Sequence, residues 1–209
     1  MGIGGVGIVL VLAAMAGPWW SLSYAGSALG FNLSGNADFG LFGGTTRSTS
    51  SLGSQTSSVA YSNATRVGSV FSTASAFAVI GMIAGGGMIA ANAVGRSQPQ
   101  KGRIGVALGL VAFLLTLLSA AYVMTSLPTA VNLDSGATGT SAFAVNGFWG
   151  SQTTTFLGAS ATVAWGAGWG WYAALIAAIV FLMGGVASLR GQRAAIGAAP
   201  GYPAYQQPP

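Results

Sequence analysis

The chain has neither cysteine nor histidine, and among its 209 residues only Asp38 and Asp134 bring side-chain carboxylates. Without cysteine there is no disulfide framework, no thiolate nucleophile and no iron–sulfur cluster. Without histidine, imidazole ligation of haem and most zinc and copper sites are excluded too. General acid–base catalysis needs a titratable group held in a site, and the two Asp are the only side-chain carboxylates that could supply one. Charged residues of both signs make up 4% of the chain, against roughly 25% in a soluble domain. That composition excludes a soluble fold and argues against an enzyme; no cofactor is expected.

What is present is apolar. Hydrophobic residues form 52% of the chain, mean hydropathy is +0.65, and there are 34 glycines. Crossing the hydrocarbon as a helix takes about 20 apolar residues. Four segments meet that requirement, roughly residues 3–22, 67–94, 104–126 and 165–189, and none carries a charge. The expected class is an all-α membrane protein. A four-helix transmembrane bundle over residues 1–190 bears a small extracellular antiparallel β-sheet drawn from two outer loops, 23–66 and 127–164. A Pro/Tyr/Gln-rich cytoplasmic tail, 191–209, follows.

The net charge of +5 comes mostly from Arg96, Lys101, Arg103, Arg190 and Arg193, just outside apolar runs. Basic residues in those places mark the cytoplasmic side, so they are read as a topology signal and no nucleic-acid partner is expected. Both termini then lie inside a plasma membrane crossed several times. In the outer loops Arg47 and Arg66 balance Asp38 and Asp134. Ala14-Met15-Ala16 resembles a signal-peptidase site, but no Lys or Arg precedes the apolar stretch, which favours a retained first helix. Val6 argues against myristoylation at Gly2.

The outer loops show short strand patterns at Ser21–Phe31, Ser57–Ser62 and Ala142–Trp149, bounded by Gly, Ser and Asn. Trp20, Gly40, Leu41, Phe42, Phe148 and Trp149 are the expected core of the sheet, fixing the loops on the bundle. The Ser/Thr/Gly-rich stretch Gly43–Ser58 reads as a mobile arm. Asp38 and Asp134 read as turn residues accepting backbone N–H groups. Asn32 and Asn63 head glycosylation sequons. The tail PGYPAYQQPP favours extended conformations, as a disordered end or a docking peptide.

Lipid offers helices no hydrophobic reason to associate, so small residues must let backbones approach. Gly81 with Gly85, Gly105 with Gly109, and Gly166 with Gly170 supply such pairs. Gly85-Gly86-Gly87 reads as close packing rather than a helix break. Trp19, Trp20 and Tyr24, with Trp165, Trp169, Trp171 and Tyr172, form an aromatic belt at the outer interface. Each half reads as helix, outer loop, helix, with Phe39-Gly40-Leu41-Phe42-Gly43 in one and Gly147-Phe148-Trp149-Gly150 in the other. This suggests a duplicated hairpin.

The layout resembles the claudin superfamily, with its peripheral myelin protein relatives. That family carries a Trp just after the first helix and a Gly-Leu-Trp further along the first outer loop, followed by two cysteines. Here Trp20 is followed by Gly40-Leu41-Phe42, with Phe in place of Trp. The cysteine pair and the C-terminal adaptor-binding signature are absent. The resemblance implies lateral association in the membrane and contact through the outer sheet. The residues themselves point to a non-catalytic structural or accessory membrane protein. Its partners would be membrane lipid and either other integral membrane proteins or copies of itself. The alternative is a channel or transporter for a neutral solute, lined by Asn92, Ser72, Thr73, Ser75, Thr116 and Ser119. Ionisable residues usually mark such a path, and the apolar segments hold none.

Overall fold

A computed structural model describes residues 2–28, 31–95, 99–136, 144–156 and 159–197. Among these residues there are four helices: α1 (Gly2–Ala16), α2 (Thr65–Gly95), α3 (Pro99–Asp134) and α4 (Trp169–Gly197). Three stretches within them, Thr65–Val94, Arg103–Asp134 and Trp169–Ser188, are long and apolar enough to cross a membrane. The apolar part of α1 is shorter, Ile3–Ala16. At 1.5 Å per residue it rises about 20 Å, short of a hydrocarbon core of about 30 Å. The helices pack so that α1 lies between α2 and α4 with α3 opposite α1, and α2 and α4 also touch across the middle.

The expectation of an all-α bundle with a small cap is overturned. The second large component is a six-stranded antiparallel sheet, built from β1 (Pro18–Ala28), β2 (Phe31–Gly40), β3 (Gly43–Ser50), β4 (Gly53–Val59), β5 (Gly150–Phe156) and β6 (Ala159–Ala167), in the order β4-β3-β2-β1-β6-β5. β1 leads straight out of α1, β6 leads straight into α4, and a single 3-10 turn, Tyr61–Asn63, joins β4 to α2. All four helices therefore meet the sheet at one end of the bundle, and the segment between α2 and α3 lies at the other.

Several boundaries differ from those expected, each for a physical reason. The first helix stops at Ala16 rather than near residue 22, because Pro18 has no N–H for the next helical bond and disfavours helix at Gly17. Trp19 and Trp20 are consequently on a strand. Conversely, α3 runs through Pro128 to Asp134 instead of ending at 126. The lost bond is outweighed by packing: Leu127 and Ala130, flanking the proline, are buried. The fourth helix begins at Trp169, not Trp165, so Trp165 and Gly166 belong to β6.

The supposed mobile arm at Gly43–Ser58 is the β3–β4 hairpin. β3 pairs with β2 from Leu33↔Ser50 to Gly40↔Gly43, and β4 pairs with β3 from Gly44↔Val59 to Ser50↔Gly53. Its Thr residues are β-branched and suited to a pleated surface, which composition alone does not reveal. The expected strand at Ala142–Trp149 lies partly outside the described residues, and 144–149 is irregular chain leading into β5. Arg96, Phe143 and the tail from residue 198 also lie outside the described residues.

Candidate functional site: the junction of sheet and bundle

A buried indole N–H needs an acceptor. Four tryptophans find backbone carbonyls where sheet meets helices. Trp19 Nε1 donates to Ala14 O at the end of α1 (2.7 Å), and Trp171 Nε1 donates to Ala120 O of α3 (2.9 Å). Trp20 Nε1 donates to Phe148 O and Trp165 Nε1 to Gly147 O, both at 3.1 Å. The last two bonds tie two central strands to the irregular chain before β5. That chain turns at Gly147, whose φ of +89° suits glycine.

Asn132 completes the tie from below. Its side-chain amide donates to Val145 O (3.0 Å) and its carbonyl oxygen accepts from Val145 N–H (2.7 Å), as a neighbouring strand would. Two residues on, the Asp134 carboxylate accepts the backbone N–H groups of Arg66 and Val67 at the start of α2. A negative charge there satisfies orphan donors and complements the helix dipole. Asp38 stands elsewhere, on β2, accepting from Ser21 Oγ (2.7 Å) and Asn36 Nδ2 (2.9 Å). The two carboxylates thus serve separate elements. Tyr61 donates its O–H to Gly40 O at 2.5 Å and stacks on Phe71 with centroids 5.3 Å apart. Burial pushes its phenol above the usual tyrosine range.

Of the six residues expected to form the sheet core, Trp20, Leu41 and Phe148 are buried, and Gly40 lends its carbonyl to Tyr61. Phe42 does not belong there: it is 71% exposed on the β2–β3 turn, while Leu41 beside it fills the core. Trp149 is half-exposed, though its ring lies edge-on to Phe148 and Trp171 at 4.8 and 5.5 Å. The two glycine-aromatic motifs therefore do different jobs, one turning a hairpin and one plugging the junction. The sequence pattern places Trp19, Trp165 and Trp171 in an interfacial belt without showing their acceptors, and it gives Tyr61 and Asn132 no anchoring role. For the tryptophans the usable signal was a buried aromatic that needs a partner for its N–H.

The packing glycines meet side chains and backbone. A Cβ on Gly81 would lie 2.8 Å from Thr116 Oγ1, while Gly85 abuts the buried ring of Phe181. A Cβ on Gly7 of α1 would lie 2.7 Å from the same ring, so Phe181 sits in a slot made by two glycines. Gly105 abuts Asn92, and a Cβ on Gly109 would stand 2.9 Å from Gly185 Cα, where α3 crosses α4. A Cβ on Gly170 would lie 2.9 Å from both Ala14 O and Pro18 O, and one on Gly166 would lie 2.8 Å from the Trp149 ring. Gly166 is a strand residue, so that pair is not a helix-packing motif.

The hydroxyls of the helices are largely spent internally. Ser119 Oγ donates to Ala74 O across the α2–α3 contact (2.7 Å) and Ser75 Oγ to Ser72 O in its own helix (2.7 Å). Thr116 is buried, and among the described residues its hydroxyl has no partner. Asn32 is exposed on β2; Asn63 closes the 3-10 turn, and its side chain lies outside the described residues. No family model matches the chain, and no curated protein matches it.

Proposed function

We propose that this is a non-catalytic structural or accessory protein of the plasma membrane, acting by lateral packing of its helices and by contacts of an external sheet. The carrying observation is polarity along the bundle. The sheet joins the helices at one end, whereas Arg96, Lys101, Arg103, Arg190 and Arg193 fall, by chain order, at the other. The positive-inside rule then puts the basic end and both termini in the cytoplasm and the sheet outside. Ile83 and Val9, 67% and 64% exposed on helices, suit contact with lipid or with neighbouring proteins. A solute path would need its polar groups turned to water. The Ser119 and Ser75 hydroxyls are instead bonded to carbonyls, which supports a packing role. Asn32 offers a place for a glycan on the outer face. The claudin superfamily, which this layout resembles, supplies an analogy for lateral association.

The test is gentle solubilisation from the native membrane with identification of what co-purifies. Recovery as homo-oligomers, or with other membrane subunits in fixed ratio, is expected. A monomer that conducts a neutral solute in reconstituted vesicles would contradict the reading.

A further inference from the structure

Both edge strands of the sheet begin with the same four residues. β4 reads Gly53-Ser54-Gln55-Thr56 and β5 reads Gly150-Ser151-Gln152-Thr153. A duplication of the two halves does not explain the match, since β4 precedes α2 whereas β5 follows α3. Neither strand contains a charge or a proline, the devices by which proteins usually blunt exposed edges. The helices meet the sheet chiefly at β1, so they do not cover β4 or β5.

Position makes the match specific. Along one row of paired residues, Gln55, Ser48, Gly35, Tyr24, Val163 and Gln152 stand opposite one another in turn. The two edge glutamines are thus at one height and on one face. The six strands alternate in direction, so β4 runs toward the bundle and β5 away from it. Hydrogen-bonded and non-hydrogen-bonded pairs also alternate along such a row. With an even number of strands, the two edge residues of each row both direct their N–H and C=O outward or both inward. A second copy upright in the same membrane therefore presents its β5 to β4 in antiparallel sense and with matching bonding groups. A twofold axis normal to the membrane would instead place β4 beside β4, which is parallel.

Level pairing sets Gln55 opposite Gln152 of the next copy, Ser54 opposite Thr153, Thr56 opposite Ser151 and Ser57 opposite Gly150. Hydroxyl-bearing cross-strand pairs are favourable, and nothing bulky or like-charged meets.

We infer that β4 of one copy pairs with β5 of the next, so that the sheet continues from molecule to molecule in the plane of the membrane. The interface is head-to-tail and generates a ring or a ribbon according to its rotation. This rests on the reading of the chain as a structural membrane protein and names its partner as a second copy.

The natural chain has no cysteine, so thiols can be placed without background. Residues directly opposite across antiparallel strands are near enough for a disulfide. Within one molecule four strands separate the two positions, so a bond between them must join copies. The double variant Gln55→Cys/Gln152→Cys, mildly oxidised in native membranes, should give a reducible ladder of dimers, trimers and larger species. Either single variant should stay at monomer size. Gln55→Lys/Gln152→Lys should lower the oligomer size at unchanged protein level. A dimer from Gln55→Cys alone would overturn the inference in favour of pairing between like edges. Adducts only with other proteins would overturn it in favour of a foreign strand. No ladder, with homo-oligomers still seen by native sizing, would overturn edge pairing and leave the broader reading standing. A monomer by both methods would remove both.

Discussion

Near the helices, the row Phe39–Trp20–Ala167 of the sheet lies among Leu41, Phe148 and Trp165, and indole N–H groups tie it to carbonyls far away in sequence. Further along the same strands, Ser27 faces Ser160 at 3.2 Å and Thr153 faces Thr162 at 2.9 Å, all exposed. Leu52, in the β3–β4 turn, is 93% exposed. The base is joined to the bundle by side chains that each have one place to go. Away from it the sheet is held by its own backbone ladder, with hydroxyl pairs adding little. A chain almost without charge thus fastens a sheet to a bundle of apolar helices with tryptophan and asparagine, and leaves the far part of the sheet exposed.

Substitutions can break or sharpen this contrast, with stability read as thermal or denaturant unfolding in detergent. Trp20→Ala should have the largest effect. It empties a fully buried site and strips Phe148 O of its donor, a loss of about 3–5 kcal/mol. A Trp20→Ala variant that unfolds like the parent would end the claim that the base is the anchor. Trp165→Phe keeps most of the ring and removes the donor to Gly147 O. Its expected cost is about 1–3 kcal/mol, together with faster proteolysis near residues 144–149. Thr116→Val should move stability the other way. It exchanges an unpartnered buried hydroxyl for a methyl of similar shape, and a gain of about 1 kcal/mol is expected. A loss would mean that the hydroxyl has a partner in the membrane, such as water in a polar path. Ser27→Ala and Thr153→Ala, away from the base, should change stability by no more than about 0.5 kcal/mol. A larger loss there would erase the difference between the two regions.

The legible part of the fold was the part governed by apolar length. Residues 67–94, 104–126 and 165–189 all contain or overlap the long apolar helices, because lipid demands uninterrupted hydrophobicity. The extent of the sheet was hidden because its strands beyond the base have no apolar alternation. Thr45–Thr46–Arg47–Ser48 reads as a loop by composition and becomes a strand by pairing with β2. Register decided the candidate site. The turn at Leu41–Phe42 sends Leu41 inward and Phe42 out, which a Gly-Leu-Phe motif does not disclose. The tryptophans were visible as an interfacial belt, but their acceptors, Ala14, Ala120, Gly147 and Phe148, are backbone carbonyls that no side-chain pattern announces. Asn132 was hidden for a related reason, since it lies beyond Pro128, where a helix was expected to end; Asp134 accepts backbone N–H groups as expected, but at the start of α2 and not in a turn of its own.

The most direct test places single cysteines at the two ends of the molecule and labels intact cells with a membrane-impermeant maleimide. Leu52→Cys reports the far turn of the sheet, and Gln100→Cys reports the basic end, at the start of α3. Labelling of Leu52→Cys in intact cells, with Gln100→Cys labelled only after lysis, is the predicted result. Labelling of Gln100→Cys in intact cells with Leu52→Cys protected would contradict it, placing the sheet in the cytoplasm and removing its external contacts.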